Sequence, residues 1–321
     1  MRFIDTETTR RHLGFPALIE RLRRMFVDGC EVPLRHTHSV GGGTLLLMPA
    51  WRAGQRLGIK TVTIFPGNGS LGLPGLHSVY MLFDASTGVP LAQLDGNQIT
   101  SRRTAAAAAL AASLLARSDA RRLLVVGTGR IAALIPEAMR AVRGIEEVVV
   151  WNHRPASAET LAASLRAQGM AVRASTDLAA AVAAADIISC ATLSNEALIR
   201  GEWLRPGTHL DLIGSFTPTM CEADPVCFER SRVYVDTPEA LAKSGDVLRA
   251  VATGVFDDTR LAGTLAELCR GTRGGRRSPE EITLFKAVGT ALEDLAAAEL
   301  VFDGVEAESL SLVPAVASPT P

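Results

Sequence analysis

Residues Gly127-Thr128-Gly129-Arg130-Ile131-Ala132 directly follow the apolar run Leu123-Leu124-Val125-Val126, and their small residues recur with GxGxxA spacing. That pattern suits a pyrophosphate cradle. Gly127 permits a tight turn, Gly129 lets a phosphate reach the backbone, and Ala132 lets a helix pack close to the strand. The helix start, carrying Arg130 and Ile131, adds unpaired N–H groups and a favourable dipole. The chemistry implied is binding of a nicotinamide dinucleotide. Past the next strand stand Asn152, His153 and Arg154, where an acid would hydrogen-bond the ribose 2′-OH of NAD. Lacking that acid and offering a guanidinium for a 2′-phosphate, the site takes NADPH or NADH and leans towards NADPH. Arg154 as a solvated loop residue is the competing reading.

The cofactor would carry the hydride, so the protein must hold a substrate and manage a proton. Three cations stand in structured segments rather than in charge runs: Arg35 in PLRHTH, Lys60 in GIKTVTIFPGN and Arg103 in ITSRRTAAAAA. Taken singly, each reads as a solvated surface charge. Lys60 asks most for a reason, because it interrupts an alternating apolar strand and the chain has only two other lysines, Lys243 and Lys286. Lysine can change protonation state at modest cost, whereas arginine cannot.

These residues need elements to position them. Residues 122–154 read as strand, glycine turn, helix to near Gly144 and second strand, a βαβ unit. The rhythm continues with helices at 157–168 and 177–183 and strands at 171–174, 186–190, 208–213 and 231–236. The result is an α/β fold, a Rossmann-type doubly wound parallel sheet. Its carboxyl ends, at Ala191-Thr192 and Gly214-Ser215, are expected to face the nicotinamide, with Thr192 and Asp211 as contacts. Ahead of it, helices at 6–13 and 15–27 cover strands at 43–49, 57–65, 78–84 and 89–94, an α+β domain separated by turns such as Pro66-Gly67-Asn68-Gly69. A long alanine-rich helix at 100–117 hands the chain over. A closing helix at 279–301, with Ile282, Phe285, Val288, Leu292 and Leu295 at helical spacing, returns to the first domain, and the tail after Glu306 is expected to fray. The division is 1–117 with 296–321 as substrate and dimerisation domain, and 118–295 as dinucleotide domain.

Composition excludes several alternatives. With 321 residues and 47% hydrophobic content, the chain can bury two cores. A net charge of −1 offers no field for nucleic acid or a membrane surface, and neither partner is expected. The five scattered cysteines have no ligand spacing, so no metal is implied, and a cytoplasmic location fits them and the absence of a signal-like apolar segment.

The order of lysine strand with PGN, GLP, LFDASTGVPLAQLDG, ITSRRTAAAAALAA, VGTGRIA, RPGTHLDLIGSFTP and EEITLFKAVGTALEDLAAA resembles the ornithine cyclodeaminase/mu-crystallin family over most of the chain. The resemblance implies that Arg35, Lys60 and Arg103 surround the substrate carboxylate and reacting carbon, and that the protein is a homodimer through its first domain. Cyclodeaminases of the family carry an aspartate where this chain has Phe216, and a phenyl ring cannot exchange a proton. Asp211, on the same strand, is the one candidate replacement. GSFTP, HLDL and EITLFK are more similar to the subgroup that reduces Δ1-pyrroline-2-carboxylate and Δ1-piperideine-2-carboxylate to L-proline and L-pipecolate with NAD(P)H. Alternatives left open are an ornithine cyclodeaminase with bound NAD, an amino-acid dehydrogenase releasing ammonia, and a mu-crystallin-like small-molecule binder. On the reductase reading Arg35 and Arg103 clamp a cyclic imino-acid carboxylate, and Arg103→Ala raises KM in a folded protein.

Overall fold

The computed structural model describes residues 1–311. Its first sheet contains β1 (Arg2–Ile4), β2 (His36–Val40), β3 (Gly43–Arg52), β4 (Arg56–Ile64), β5 (Leu76–Asp84) and β6 (Pro90–Asp95), ordered β1-β6-β5-β4-β3-β2 and antiparallel except for β1 with β6. Strands β3 to β6 match the expected segments. β1 and β2 lie at the edges, where β1 has three residues and β2 is exposed throughout, so neither carries a buried alternation that a sequence pattern could show. Pro66–Leu71 forms a short 3-10 helix rather than a simple turn.

One face of this sheet is packed by α1 (Thr6–His12), against β6, and by α3 (Gly96–Leu115), whose first turn is capped by Asp95, while α2 (Phe15–Asp28) packs on α3 rather than on the strands. Alanines 105–109, 111 and 112 of α3 are buried on every side. Their small side chains let this helix sit between two sheets, touching β4 and β5 on one side and strands of the second sheet on the other. Leu47, Pro49, Ile59, Met81 and Phe83 point to the sheet's opposite face and stay half-buried, while Val79 among them is exposed.

The second sheet is wholly parallel. It contains β7 (Arg122–Val126), β8 (Glu147–Trp151), β9 (Val172–Ser175), β10 (Ile187–Cys190), β11 (His209–Leu212), β12 (Arg232–Val235), β13 (Leu261–Thr264) and β14 (Thr283–Lys286), ordered β13-β12-β14-β11-β10-β7-β8-β9. Strands such as Leu123-Leu124-Val125-Val126 are buried on both faces, as crossover helices require. Those helices include α4 (Arg130–Arg140), α5 (Pro155–Ala167), α6 (Leu178–Ala184), α7 (Pro225–Arg230), α8 (Glu239–Lys243), α9 (Gly245–Ala252) and α10 (Leu265–Arg270). The order turns at β7, whose neighbours are β10 and β8, and this switch point opens a crevice at the carboxyl ends.

Two expectations are corrected. The closing helix does not run from 279: Thr283–Lys286 is β14, inserted between β11 and β12, and α11 runs Ala291–Ser311. Ile282, Phe285 and Val288 fit helical spacing, but β14 has both ladder partners available and buries all four of its residues, so the tertiary sheet overrides the local period. The expected frayed tail is helical as far as Ser311, and its remainder, 312–321, lies outside the described residues. Helix α11 packs on α2, α3, β3 and β4, so the chain returns to the first sheet just after β14.

Candidate active site

The glycine turn after β7 is built as a cradle. Gly127 has φ +118, and a Cβ there would stand 2.5 Å from the Ala191 carbonyl oxygen, so only glycine lets this turn lie against the loop after β10. Gly129 is exposed, and a Cβ added to it would meet nothing within 4 Å, which leaves open space in front of α4. No side chain caps α4, so its first N–H groups have no side-chain partner, with Arg130 exposed and Ile131 half-buried beside them. Asn152 Nδ2 donates to Thr128 Oγ1 at 3.1 Å and Asn152 Oδ1 accepts from the Arg154 N–H at 2.8 Å, so the turns after β7 and β8 are tied together. His153 and Arg154 are exposed beside them. These residues fit a dinucleotide: an uncapped helix start, an open glycine, and no acid at the ribose end.

Lys60 sits on the inner face of the first sheet, level with Met48 and Tyr80 in the neighbouring strands. It is 2% exposed, and its Nζ stands 2.6 Å from Asp294 Oδ2 as an ion pair, outside hydrogen-bond angles. Arg103 is also buried. Its Nε donates to Asp294 Oδ1 at 2.8 Å and its Nη1 to Glu293 Oε2 at 2.6 Å, and a Cβ on Gly289 would meet the guanidinium at 2.8 Å. Arg35 Nη2 donates to the Gly289 carbonyl at 2.8 Å, while its buried Nε has no hydrogen-bond partner and lies 3.6 Å from Glu239. Gly289 follows β14, and its N–H and that of Val288 bond to Asp236, at the end of β12. The three expected cations therefore meet at the carboxyl edge of the parallel sheet, the edge that carries the cradle.

Burial sets the protonation here. Desolvation pulls the Lys60 pKa down to about 8; Asp294 opposes that and Arg103 and Arg35 reinforce it. Burial also pushes Glu293 up to about 8, resisted by Arg103 and helped by Asp236 and Asp294. Arg103 loses by burial but is held above its ordinary value by Asp294 and Glu293. Desolvation would raise Asp294 as well, but Lys60 and Arg103 outweigh it and hold this carboxyl below the ordinary range.

Asp236, Glu293 and Asp294 are additions to the expected site residues. The last two are visible in the sequence as a Glu-Asp pair in the apolar helix ALEDLAAAELVF, where a buried acid must have a cation to meet. Lys286 falls within the expected closing helix, yet it is fully buried in β14, 3.3 Å from Asp246, whose other oxygen accepts the N–H groups of Glu222 and Ala223. Glu222 in turn accepts from Thr192 N and Oγ1 at 2.7 and 2.8 Å and from Gly214 N at 2.6 Å, pinning the loops after β10 and β11 together. Thr192 lies just past the carboxyl end of β10, half-buried and oriented by Glu222. Asp211 does not line the crevice. It is fully buried within a central strand, accepts from Ser189 Oγ and is pushed by burial to about 7. Phe216 is 39% exposed in the loop after β11, and Arg103 is not a free clamp, since its Nε and Nη1 are taken by the protein's own acids.

The model of the ornithine cyclodeaminase/mu-crystallin family matches residues 10–309. The chain belongs to that family. Among its relatives, the Δ1-pyrroline-2-carboxylate reductase of Colwellia psychrerythraea is 36% identical over 313 residues, covering 94% of this chain and 99% of its own. The structure of Thermococcus litoralis Δ1-pyrroline-2-carboxylate reductase in complex with NADH and L-proline is similar at TM-score 0.91 and 31% identity, over 96% of this chain and 98% of that one. An archaeal alanine dehydrogenase dimer with bound NAD is similar at TM-score 0.90 and 28% identity, over 96% of this chain and 97% of that one. This ornithine cyclodeaminase/mu-crystallin family member thus shares its Rossmann-containing architecture with NAD-bound enzymes across nearly its whole length.

Proposed function

We propose that the protein is an NAD(P)H-dependent reductase of cyclic ketimines, converting Δ1-pyrroline-2-carboxylate or Δ1-piperideine-2-carboxylate to L-proline or L-pipecolate. The carrying observation is Lys60, a buried ammonium with its pKa lowered to about 8, grouped with Arg103 and Arg35 at the carboxyl edge of a dinucleotide-binding sheet. The reductase relatives and the likeness to a structure holding NADH and L-proline support it. The nicotinamide supplies the hydride when bound. Gly127, Gly129, Arg130 and Ile131 would hold the pyrophosphate, Asn152, His153 and Arg154 the ribose end, and Thr192 the crevice wall.

The chain's residues do the rest. Arg35 offers its unbonded Nε to the substrate carboxylate. The space beside it, walled by Val32, Met48, Glu239 and Thr290, is about 10 Å³. Lys60, protonated below pH 8, donates towards the imine nitrogen, since a protonated iminium accepts hydride more readily than a neutral imine. Asp294 and Glu293 hold Arg103, and Asp294 also holds Lys60, in fixed orientation. Phe216 stands where the cyclodeaminases carry an aspartate, and the next acid of that loop, Glu222, is taken up by Thr192 and the Gly214 N–H, which favours reduction over cyclodeamination. Purified protein assayed with both imines should oxidise NADPH, and with L-ornithine and NAD should release no ammonia. Ammonia from ornithine without net cofactor turnover would replace this reading by the cyclodeaminase one.

NADPH is the preferred cofactor on this reading, because Arg154 is exposed at the ribose end and no acid opposes a 2′-phosphate. Arg154→Ala is expected to raise KM for NADPH about tenfold or more, the loss of one charge-assisted bond, while KM for NADH changes little. Equal losses with the two cofactors would remove Arg154 from the site. A cytoplasmic homodimer through the first domain also belongs to this reading. The half-buried face of Leu47, Ile59, Met81 and Phe83 beside exposed Val79 is the surface that would be shared. Sedimentation equilibrium should give twice the chain mass, with Met81→Arg shifting it to monomer; a monomeric wild type would sink the dimer.

A further inference from the structure

A cavity of about 710 Å³ opens at the amino ends of β12 and β13, bounded by Arg232 at the start of β12, Leu261 at the start of β13 and Ile282 just before β14. The glycine cradle lies at the opposite, carboxyl edge of the same parallel sheet, so the cavity is separate from the cofactor crevice. Its walls carry five guanidiniums, from Arg230, Arg232, Arg260, Arg273 and Arg277, against the carboxylates of Glu280 and Glu281.

Two of these arginines lean on acids: Arg277 on Glu281 at 2.8 Å and Arg273 on Glu267 at 3.6 Å. The other three are held by neutral groups. Arg230 donates to the Gly201 carbonyl, and Arg260 donates to the Val255 and Glu229 carbonyls. Arg232 Nε donates at 2.6 Å to the Tyr234 hydroxyl, itself fixed by the Gly274 and Gly275 carbonyls. These bonds orient the three guanidiniums without cancelling their charge, and among the described residues none of the three pairs with a carboxylate. Like charges gathered on one cavity repel unless an anion joins them. A planar fork of N–H donors matches phosphate oxygens two at a time, and preorientation lowers the cost of binding.

We infer that this cavity is a second ligand site, taking a polyphosphate-bearing metabolite by its phosphate groups. No aromatic ring lines it, so recognition rests on the phosphates rather than on stacking of a base. Inorganic tripolyphosphate and ATP are therefore expected to bind alike, the shared chemistry being the chain of phosphates.

The test is calorimetric titration of the whole protein, saturated with NADPH to fill the cofactor crevice, with tripolyphosphate and separately with ATP. One anion per chain is expected. Arg232→Gln with Arg260→Gln should weaken binding at least tenfold. Because those two side chains also fasten backbone, Arg273→Gln serves beside them: it is exposed, among the described residues its guanidinium pairs only with Glu267, and it should weaken binding at least threefold in a folded protein with unchanged imine reduction. No binding by the NADPH-saturated wild type, binding unaltered in both variants, or binding of ATP without tripolyphosphate would each overturn the site.

Discussion

Lys60→Met is expected to lose imine reduction by about 10²–10⁴-fold in kcat, the range for removal of a positioned proton donor. The substituted side chain keeps the apolar stem and removes only the ammonium, and Arg103 remains to satisfy Asp294 through Oδ1, so NADPH binding should persist. In the wild type the pH dependence has a definite sign. Lys60 is an acid whose folded pKa is lowered to about 8, so its protonated form dominates below that pH and is lost above it. kcat for the imine should therefore fall as pH rises through about 8, and the Lys60→Met enzyme should lack that limb. A variant within tenfold of the wild type, with the limb intact, would take Lys60 out of the chemistry.

Arg103→Met is expected to destabilise the fold by about 3–5 kcal/mol, because it strips buried Glu293 of its cation and leaves buried Asp294 with Lys60 alone. Glu293 and Asp294 are both essentially without exposure, and Arg103 is the cation that Glu293 meets. The unfolding temperature should fall by roughly 4–8 °C. This outcome differs from the simpler expectation that Arg103→Ala would raise KM in an otherwise sound protein: the side chain is bonded to acids of α11, so stability and substrate affinity are expected to fall together. Glu293→Gln combined with Arg103→Met should recover part of the loss, since the pair then leaves one fewer charge buried. Thermal unfolding of the three proteins at fixed pH decides it, and an unchanged midpoint for Arg103→Met would mean that the buried ion pairs contribute little.

The cofactor half of the site was legible because its requirements are local. A strand, two glycines, an alanine and a helix occupy consecutive positions, and the structure gives Gly127 the tight turn and Gly129 the open space that this spacing calls for. The substrate half was legible only as three unexplained cations. The acids that Arg103 meets lie 190 and 191 positions later, in α11, and Gly289, which Arg35 and Arg103 both touch, follows a strand whose apolar spacing imitates a helix.

The sequence by itself determined six strands of the parallel sheet, the four main strands of the first sheet, the alanine-rich helix between them, and Arg35, Lys60 and Arg103 as groups needing a reason. Each of these follows from neighbours within a few residues: turn sterics, side-chain period or an odd charge in an apolar run. Tertiary structure alone decided that Thr283–Lys286 is a central strand, that Asp211 is sealed in the core, and that Lys60 and Arg103 share Asp294. The physical reason is common to all three. Four residues such as Thr-Leu-Phe-Lys have no decisive period of their own, and a ladder on both sides outweighs local preference. The state of a buried charge is likewise fixed by which opposite charge the fold brings within about 3 Å, a matter of long-range packing rather than of sequence spacing.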